Sequence, residues 1–504
     1  ASAAGLDHPN LLAMAVFQAL GAGDTAKALD YAERARKLAP DNIDVLQAVA
    51  MALASNRRQK EALAVYDKAL RQQPSLAPLH YNRGRLLEDM GDAARARSDY
   101  ERAVEMMPNH AIALARLATI AVANNEADVA RGYAERALTL NPRESAAVIV
   151  LAQADLLDKK YDAVIARMTP VASAEHNPVN RSVAQGLIAD ALDAQGNKKE
   201  AFAAYRASNE LLRGAFAPLF RPAGGETVLA RAERTLAHVK ASPPVAPAPA
   251  GSPVKTHVFL LGFPRSGTTL LENVLAGHPD IETVEERDAL LKAETDFLVP
   301  PDGLERLDNA RDLAPYREAY WAEMQAAGAT LGKPVFIDKM PLNSLLLPVI
   351  AKMFPEARIL LAIRDPRDVV LSCFRRRFGM SAKMYELLTL DGAAALYDVA
   401  MRLCDAARGK YPMPFHVTRY ENLVADFENR TRGICGFLGV EYTEDMSRFA
   451  DRARRKLINT PSAAQVAEGL YTRGVDQWRA YGDQIAPVLP VLAPWIEAFG
   501  YAEE

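Results

Sequence analysis

Small apolar residues recur along the first part of the chain with a period longer than any single helix or strand. Ala28, Ala62, Ala96 and Ala130 form one series, and Ala35, Ala69, Ala103 and Ala137 a second. Pro40, Pro74, Pro108 and Pro142 form a third, and all three step by 34 residues. The interlocked phases predict a unit of two helices closed by a proline. Small alanines let the paired helices approach closely, and proline cannot continue the second. Four well-phased units run from about residue 7 to 144, and two looser ones follow at about 145–178 and 179–213. The later units lose the proline phase, as suits a capping position in a repeat array.

The pattern then changes twice. FRPAGG at 220–225 breaks the helical spacing, TVLARAERTLAHVKA restores one helix, and SPPVAPAPAGSP at 242–253 reads as an extended spacer. This divides the chain into a repeat array at 7–213, a helix and Pro/Ala-rich linker at 214–253, and a third region at 254–504. HVFLLG is a continuous apolar run, the signature of a strand buried on both faces. FPRSG follows as a tight turn, TTLLENVLAG as a helix, and His278-Pro279 as its stop. ARILLAI is a second strand, ending at Arg364, and DPRDVVLS opens another helix; FHVTRYENLV reads as a strand ending in Tyr420. Strands alternating with helices predict a parallel α/β sheet covered by helices.

Composition narrows the function. Half of the 504 residues are hydrophobic, enough for more than one core. A net charge of −3 argues against a general basic surface for nucleic acid. Three cysteines, Cys373, Cys404 and Cys435, make neither a disulfide framework nor a zinc spacing, so a reducing, cytoplasmic setting is expected. The first residues lack a basic region followed by an apolar run, and no stretch approaches a membrane span.

The chemistry concentrates after the linker. Strand, glycine turn and helix form a phosphate cradle, with backbone N–H groups and a helix N-terminus facing an anion. Gly262, four residues, Gly267, Thr268 and Thr269 make a P-loop-like frame in which threonine replaces the usual lysine. That lysine serves the phosphates of a nucleoside triphosphate, so its loss argues against a kinase or NTPase. Arg265 supplies a cation from another position in the turn.

Two resemblances follow from these motifs. The 34-residue unit resembles the tetratricopeptide (TPR) repeat, which implies an all-α superhelix whose groove grips a peptide or protein; a scaffold, dimer interface or rigid extension is the alternative. PRSGTT after an apolar strand resembles the 5′-phosphosulfate loop of sulfotransferases that use 3′-phosphoadenosine-5′-phosphosulfate (PAPS). The likeness is nearest to tyrosylprotein sulfotransferases and their bacterial relatives. It runs without a gap from PRSGTT through HPDIETVEE, and spans 256 to about 482. It thins over 290–330 and 380–410, where acceptor recognition would lie.

The resemblance implies an α/β sulfotransferase domain and assigns roles. Pro264, Arg265, Ser266, Gly267, Thr268 and Thr269 would hold the sulfated end of PAPS. Glu286, second of the pair Glu285-Glu286, would be the catalytic base. Arg364 and Ser372 would hold the 3′-phosphate; a guanidinium and a hydroxyl eight residues apart across a strand-to-helix turn can surround one anion. Lys339 in FIDKMPLNS and Ser462 in NTPSAAQVAEGLYTRGVDQW would stabilise the transferring group with Arg265. Tyr420 would lie near the adenine, and Tyr471 and Arg473 would cover the cofactor. The product would be 3′-phosphoadenosine 5′-phosphate, and no metal is required. Family members that sulfate tyrosine follow the glutamate pair with basic residues that read acidic peptides. Here Arg287 and Asp288 follow, so that preference does not carry over.

The expected reaction is sulfuryl transfer to an acceptor hydroxyl, on a protein tyrosine positioned by the repeats or, alternatively, on a small molecule, lipid or sugar. A P-loop kinase or NTPase, and a TPR scaffold with an inactive domain, remain competing readings. His257, His278 and His416 are competing bases, with His278 expected to cap helix carbonyls. Arg375-Arg376-Arg377 reads as a solvated run or a dock for an anionic acceptor. The sequence sets no oligomeric state.

Overall fold

A computed structural model describes residues 8–221, 224–244, 251–455, 469 and 474–501. The chain forms two compact units, 1–175 and 176–504.

The first unit is a run of helix pairs: α1 (Pro9–Gly21) with α2 (Thr25–Leu38), α3 (Ile43–Ser55) with α4 (Gln59–Gln72), α5 (Ala77–Asp89) with α6 (Ala93–Met106), α7 (Ala111–Ala123) with α8 (Ala127–Leu140), and α9 (Ser145–Leu157) with α10 (Tyr161–Ala174). All eight periodic alanines are fully buried. The residue before each periodic proline leaves the helix: Ala39, Gln73, Met107 and Asn141 have φ of −145°, −133°, −133° and −136°. Proline crowds its predecessor out of the α region, so each helix ends on schedule. A fourth periodic feature escaped the sequence reading. The turn inside each pair takes a left-handed residue at Gly23, Arg57, Gly91, Asn125 and Lys159, again 34 residues apart. Only two are glycine, so composition hides the position. The side chains at Arg57 and Lys159 each cost about 1 kcal/mol there.

The second unit opens with α11 (Pro178–Ala194) and α12 (Lys198–Phe220), which the sequence grouped with the repeats. In the structure they pack within the second unit. Phe202 stacks on Phe374 at 5.0 Å, and Asn209 donates to the Phe374 carbonyl at 2.9 Å. Helix α13 (Val228–Ala241) buries Val228, Ala232, Leu236 and Val239 in the same core. Half of the proline-rich stretch, 245–250, lies outside the described residues.

The sheet has five parallel strands: β1 (Thr256–Gly262), β2 (Ile281–Glu285), β3 (Val335–Lys339), β4 (Arg358–Ile363) and β5 (Phe415–Arg419), in the order β2-β3-β1-β4-β5. Helix α14 (Thr268–Leu275) leaves β1. Helices α15 (Leu291–Phe297), α16 (Gly303–Asp308) and α17 (Ala314–Ala326) lie between β2 and β3, and α18 (Leu347–Met353) precedes β4. Helix α19 (Pro366–Arg375) leaves β4, α20 (Ala382–Glu386) and α21 (Leu390–Lys410) follow, and α22 (Tyr420–Ala425) leaves β5. Every residue of β1 is buried, and its side chains alternate between two cores. Phe259 and Leu261 join Tyr397 and Leu403 of α21; Val258 and Leu260 join Leu271 and Val274 of α14. Chain order reverses around β1, and in open parallel sheets ligands bind beyond the carboxyl ends at such a point.

Candidate active site

Each of the five strands delivers one predicted residue at its carboxyl end. Arg265 follows β1, Glu286 follows β2, Lys339 ends β3, Arg364 follows β4 and Tyr420 follows β5. Parallel register makes this convergence automatic, since all five ends lie on one edge of the sheet.

The turn after β1 is tightly wound. Arg265 has φ of +74° and Gly267 of +89°. A Cβ at Gly267 would lie 2.6 Å from Tyr420 Cδ2, and one at Gly262 would lie 2.7 Å from the Ala362 carbonyl oxygen. Both glycines are therefore required by space, Gly267 also by conformation. Gly267 is the N-cap of α14 and brings no capping side chain, while Ser266, Thr268 and Thr269 are buried beside it. The Pro264 carbonyl accepts from the Cys373 thiol at 3.3 Å, which ties the turn to α19.

Across the turn, Arg265 Nε donates to Ser372 Oγ at 3.0 Å, and Arg364 Nη1 donates to the Arg265 carbonyl at 3.2 Å. Arg364 lies over the Tyr420 ring at 5.2 Å, bonds the Gly474 carbonyl, and stands 3.6 Å from Asp368. Asp368 accepts the backbone N–H groups of Asp476 and Trp478 at 2.8 and 2.9 Å. Burial pushes the Arg265 guanidinium down to about 9, and the neighbouring charges of Arg376 and Arg364 push the same way. Positive charge is crowded here, and a bound anion would relieve it.

Arg376 is the residue that sequence reasoning misplaced, as part of a solvated or acceptor-docking run. It is buried enough to be pushed below the usual guanidinium value, and its charge reaches Arg265. The available signal was its closeness to Ser372, since it caps the helix that carries that residue.

On the other side of β1, Lys339 is 0% exposed, and its Nζ lies 3.0 Å from Glu285 Oε1 and 2.6 Å from Glu286 Oε1. Glu286 has φ of +47°, and its N–H donates to the Lys339 carbonyl at 2.8 Å. The Glu286 side chain is 39% exposed, so one carboxylate is both anchored to a buried cation and open to solvent.

The histidines lie elsewhere. His257 is buried against Tyr320 OH at 2.9 Å and pushed down to about 3 by burial. His278 does not cap α14; Nε2 contacts the Glu441 carbonyl at 2.7 Å and Nδ1 accepts the Asp280 N–H. His416 stacks on Phe437. Ser462, Tyr471 and Arg473 lie outside the described residues. Among the described residues no group of three or more His, Cys, Asp or Glu side chains is arranged to hold a metal ion, and no helix is long and apolar enough to cross a membrane.

Comparison with known proteins agrees with both halves of this description. Residues 257–444 match the sulfotransferase family, and 18–77 and 81–145 match the tetratricopeptide repeat. The chain carries a sulfotransferase-family domain behind tetratricopeptide repeats. Protein-tyrosine sulfotransferase A of Caenorhabditis elegans is 25% identical over 272 residues, covering 48% of this chain and 67% of that protein. Nodulation protein NoeE of Sinorhizobium fredii is 30% identical over 272 residues, 45% of this chain and 61% of its own length. An uncharacterized protein of Aquifex aeolicus is 24% identical over 256 residues, 48% of this chain and 33% of its own. The chain thus spans about three-fifths of the Sinorhizobium fredii protein and a third of the Aquifex aeolicus one. Among solved structures, the sulfotransferase domain of the Synechococcus PCC 7002 olefin synthase is 24% identical, covering 46% of this chain and 90% of that one, with a TM-score of 0.35. The sulfotransferase match takes in Arg265, Glu286, Lys339, Arg364, Ser372 and Tyr420, and ends before Ser462.

Proposed function

We propose that the chain transfers a sulfuryl group from PAPS to an acceptor hydroxyl, with a protein side chain such as tyrosine as the acceptor. The observation that carries this reading is the pairing of two charge arrangements on one sheet edge. Guanidinium groups and a serine hydroxyl gather between β1 and β4, and a Lys339–Glu286 pair stands at the ends of β3 and β2.

The residues present suit the donor. Arg364 Nε is buried without a hydrogen-bond partner, beside a cation cluster that an anion would neutralise. Arg364, Ser372 and Arg376 would hold the 3′-phosphate; Arg265, Ser266, Thr268, Thr269 and the first N–H groups of α14 would hold the sulfated end. Tyr420, beneath Arg364, would meet the adenine. When bound, PAPS supplies an activated sulfuryl group whose leaving oxygen gathers negative charge.

Glu286 accepts the proton of the acceptor hydroxyl as that oxygen attacks. Lys339 holds the Glu286 carboxylate in place, and Lys339 and Arg265 offset the charge developing nearby by electrostatics set in place beforehand. Ser462, Tyr471 and Arg473 complete the proposed set from the segment after the sheet. The repeats would present the protein acceptor, and the chain would work in the cytoplasm.

Titration calorimetry with 3′-phosphoadenosine 5′-phosphate against ADP tests the reading. Tight binding of the first and weak binding of the second is expected. Equal binding, or a preference for ADP, would overturn it in favour of a P-loop kinase or NTPase.

A further inference from the structure

Helices α11 and α12 look like the last repeat in sequence, yet they hold the end of the helix that carries Ser372. Phe374, Arg375 and Arg377 are each gripped by this pair. Phe374 stacks on Phe202, and its carbonyl, one of those a helix end leaves unsatisfied, accepts the Asn209 amide at 2.9 Å. Arg375 Nη2 bonds Asp193 Oδ2 and lies 5.4 Å from the Tyr205 ring. Asp193 Oδ1 also accepts from Lys198 Nζ at 2.7 Å and from the Tyr481 hydroxyl. Arg377 Nη2 donates to Asp190 Oδ2 at 3.0 Å, and the Tyr205 hydroxyl donates to Asp190 Oδ1 at 2.8 Å. Gly186 makes room for Arg377, since a Cβ there would lie 2.1 Å from Nη1.

The consequence lies at the phosphate site. Ser372 lies in the last turn of α19 and Arg376 is its C-cap, and both belong to the stretch that α11 and α12 fix. Arg375, Arg376 and Arg377 are three successive cations that would repel one another at a fraying helix end. Asp193 and Asp190 pair with the first and third; the Asp190 charge also reaches Arg376, whose own charge reaches Arg265.

We propose that α11 and α12 are a working part of the phosphate site, with Asp193 and Asp190 as positioning residues that act through Arg375 and Arg377 on Ser372 and Arg376. This rests on the sulfotransferase reading above. It implies that a catalytic domain starting after the linker, at residue 254, lacks part of its own binding site.

The test is 3′-phosphate selectivity in the full chain, measured as the ratio of affinities for 3′-phosphoadenosine 5′-phosphate and AMP. Wild type is expected to prefer the first. Asp193→Asn is expected to lower the ratio about tenfold, the scale of one charge-assisted hydrogen bond, with AMP affinity unchanged. Asp193→Glu is expected to restore most of it. An unchanged ratio in Asp193→Asn, or equal weakening toward both nucleotides, would show that the pair only supports the fold and would overturn the proposal. If Asp193→Asn does not fold, Asp190→Asn, which breaks fewer bonds, decides by the same two outcomes with an expected loss of about threefold. Absence of any preference in wild type would instead remove the sulfotransferase reading itself.

Discussion

Asp99 in the repeat unit and Arg265 in the catalytic unit are both charges removed from water, but their neighbours differ. Asp99, 3% exposed, accepts from Arg83 at 2.8 and 2.7 Å and contacts His80 at 3.1 Å; the remaining Arg83 nitrogen donates to Asp67 at 2.7 Å. Asp155 is matched in the same way by Arg131 and Arg167. Arg265 donates to Ser372, and burial first, with the charges of Arg376 and Arg364 adding to it, lowers its affinity for a proton. Charge balanced inside the chain fixes helices against one another. Like charge crowded at the carboxyl edge of a parallel sheet is held ready for a ligand.

If that distinction is sound, variants on the two sides should fail differently. Glu286→Gln is the largest expected effect: turnover with PAPS should fall about 10²–10⁴-fold, the range for losing a general base, while nucleotide affinity holds. Near-normal turnover would move the base elsewhere. Next is Asp99→Asn, which leaves Arg83 and His80 without their shared carboxylate. Breaking a buried pair on one side costs about 3–5 kcal/mol. Denaturant unfolding should register that loss, while calorimetry should find nucleotide affinity unchanged. A change in affinity would mean that Asp99 serves the site as well as the repeats.

The same contrast explains what the sequence made legible. The repeats are written by period, because packed alanines and helix-stopping prolines need fixed residue types at fixed spacing. The left-handed turn position is equally periodic but accepts Gly, Arg, Asn and Lys, so it leaves no mark in composition. Arg265, Glu286, Lys339, Arg364 and Tyr420 could be named from motifs because each lies at or just beyond a strand end, where local sequence fixes position; Ser372, inside α19, was placed by its spacing from Arg364. The partnership of Asp193 with Arg375 could not, since it joins residues far apart in sequence through packing alone. Arg376 stands at the end of the helix that carries Ser372, but a run of three arginines reads first as a solvated face.

Arg265→Gln sharpens the comparison from the ligand side. It removes one of the mutually repelling cations, so thermal unfolding of the unliganded protein should be unchanged or shift upward. Affinity for 3′-phosphoadenosine 5′-phosphate should fall about 100-fold with the loss of charge-assisted bonds. A loss of stability comparable to that of Asp99→Asn would place Arg265 among the structural charges.

Asp338 is a third kind of buried charge, a carboxyl at 1% exposure on the strand that ends in Lys339. Its Oδ2 accepts the Tyr320 hydroxyl at 3.1 Å, and Oδ1 is buried with no hydrogen-bond partner. Burial pushes it up to about 7, against the opposing pull of Tyr320 and Lys339. The folded state therefore keeps a proton that the unfolded chain releases from about pH 4 upward. Its share of stability is present at acid pH and is lost as pH rises toward 7. Asp338→Asn, which cannot ionise, should remove that part of the slope, roughly 2 kcal/mol between pH 5 and 7. Thermal unfolding of the two proteins across that range is the measurement. Parallel curves would mean that Asp338 is already ionised in the fold and balanced like Asp99.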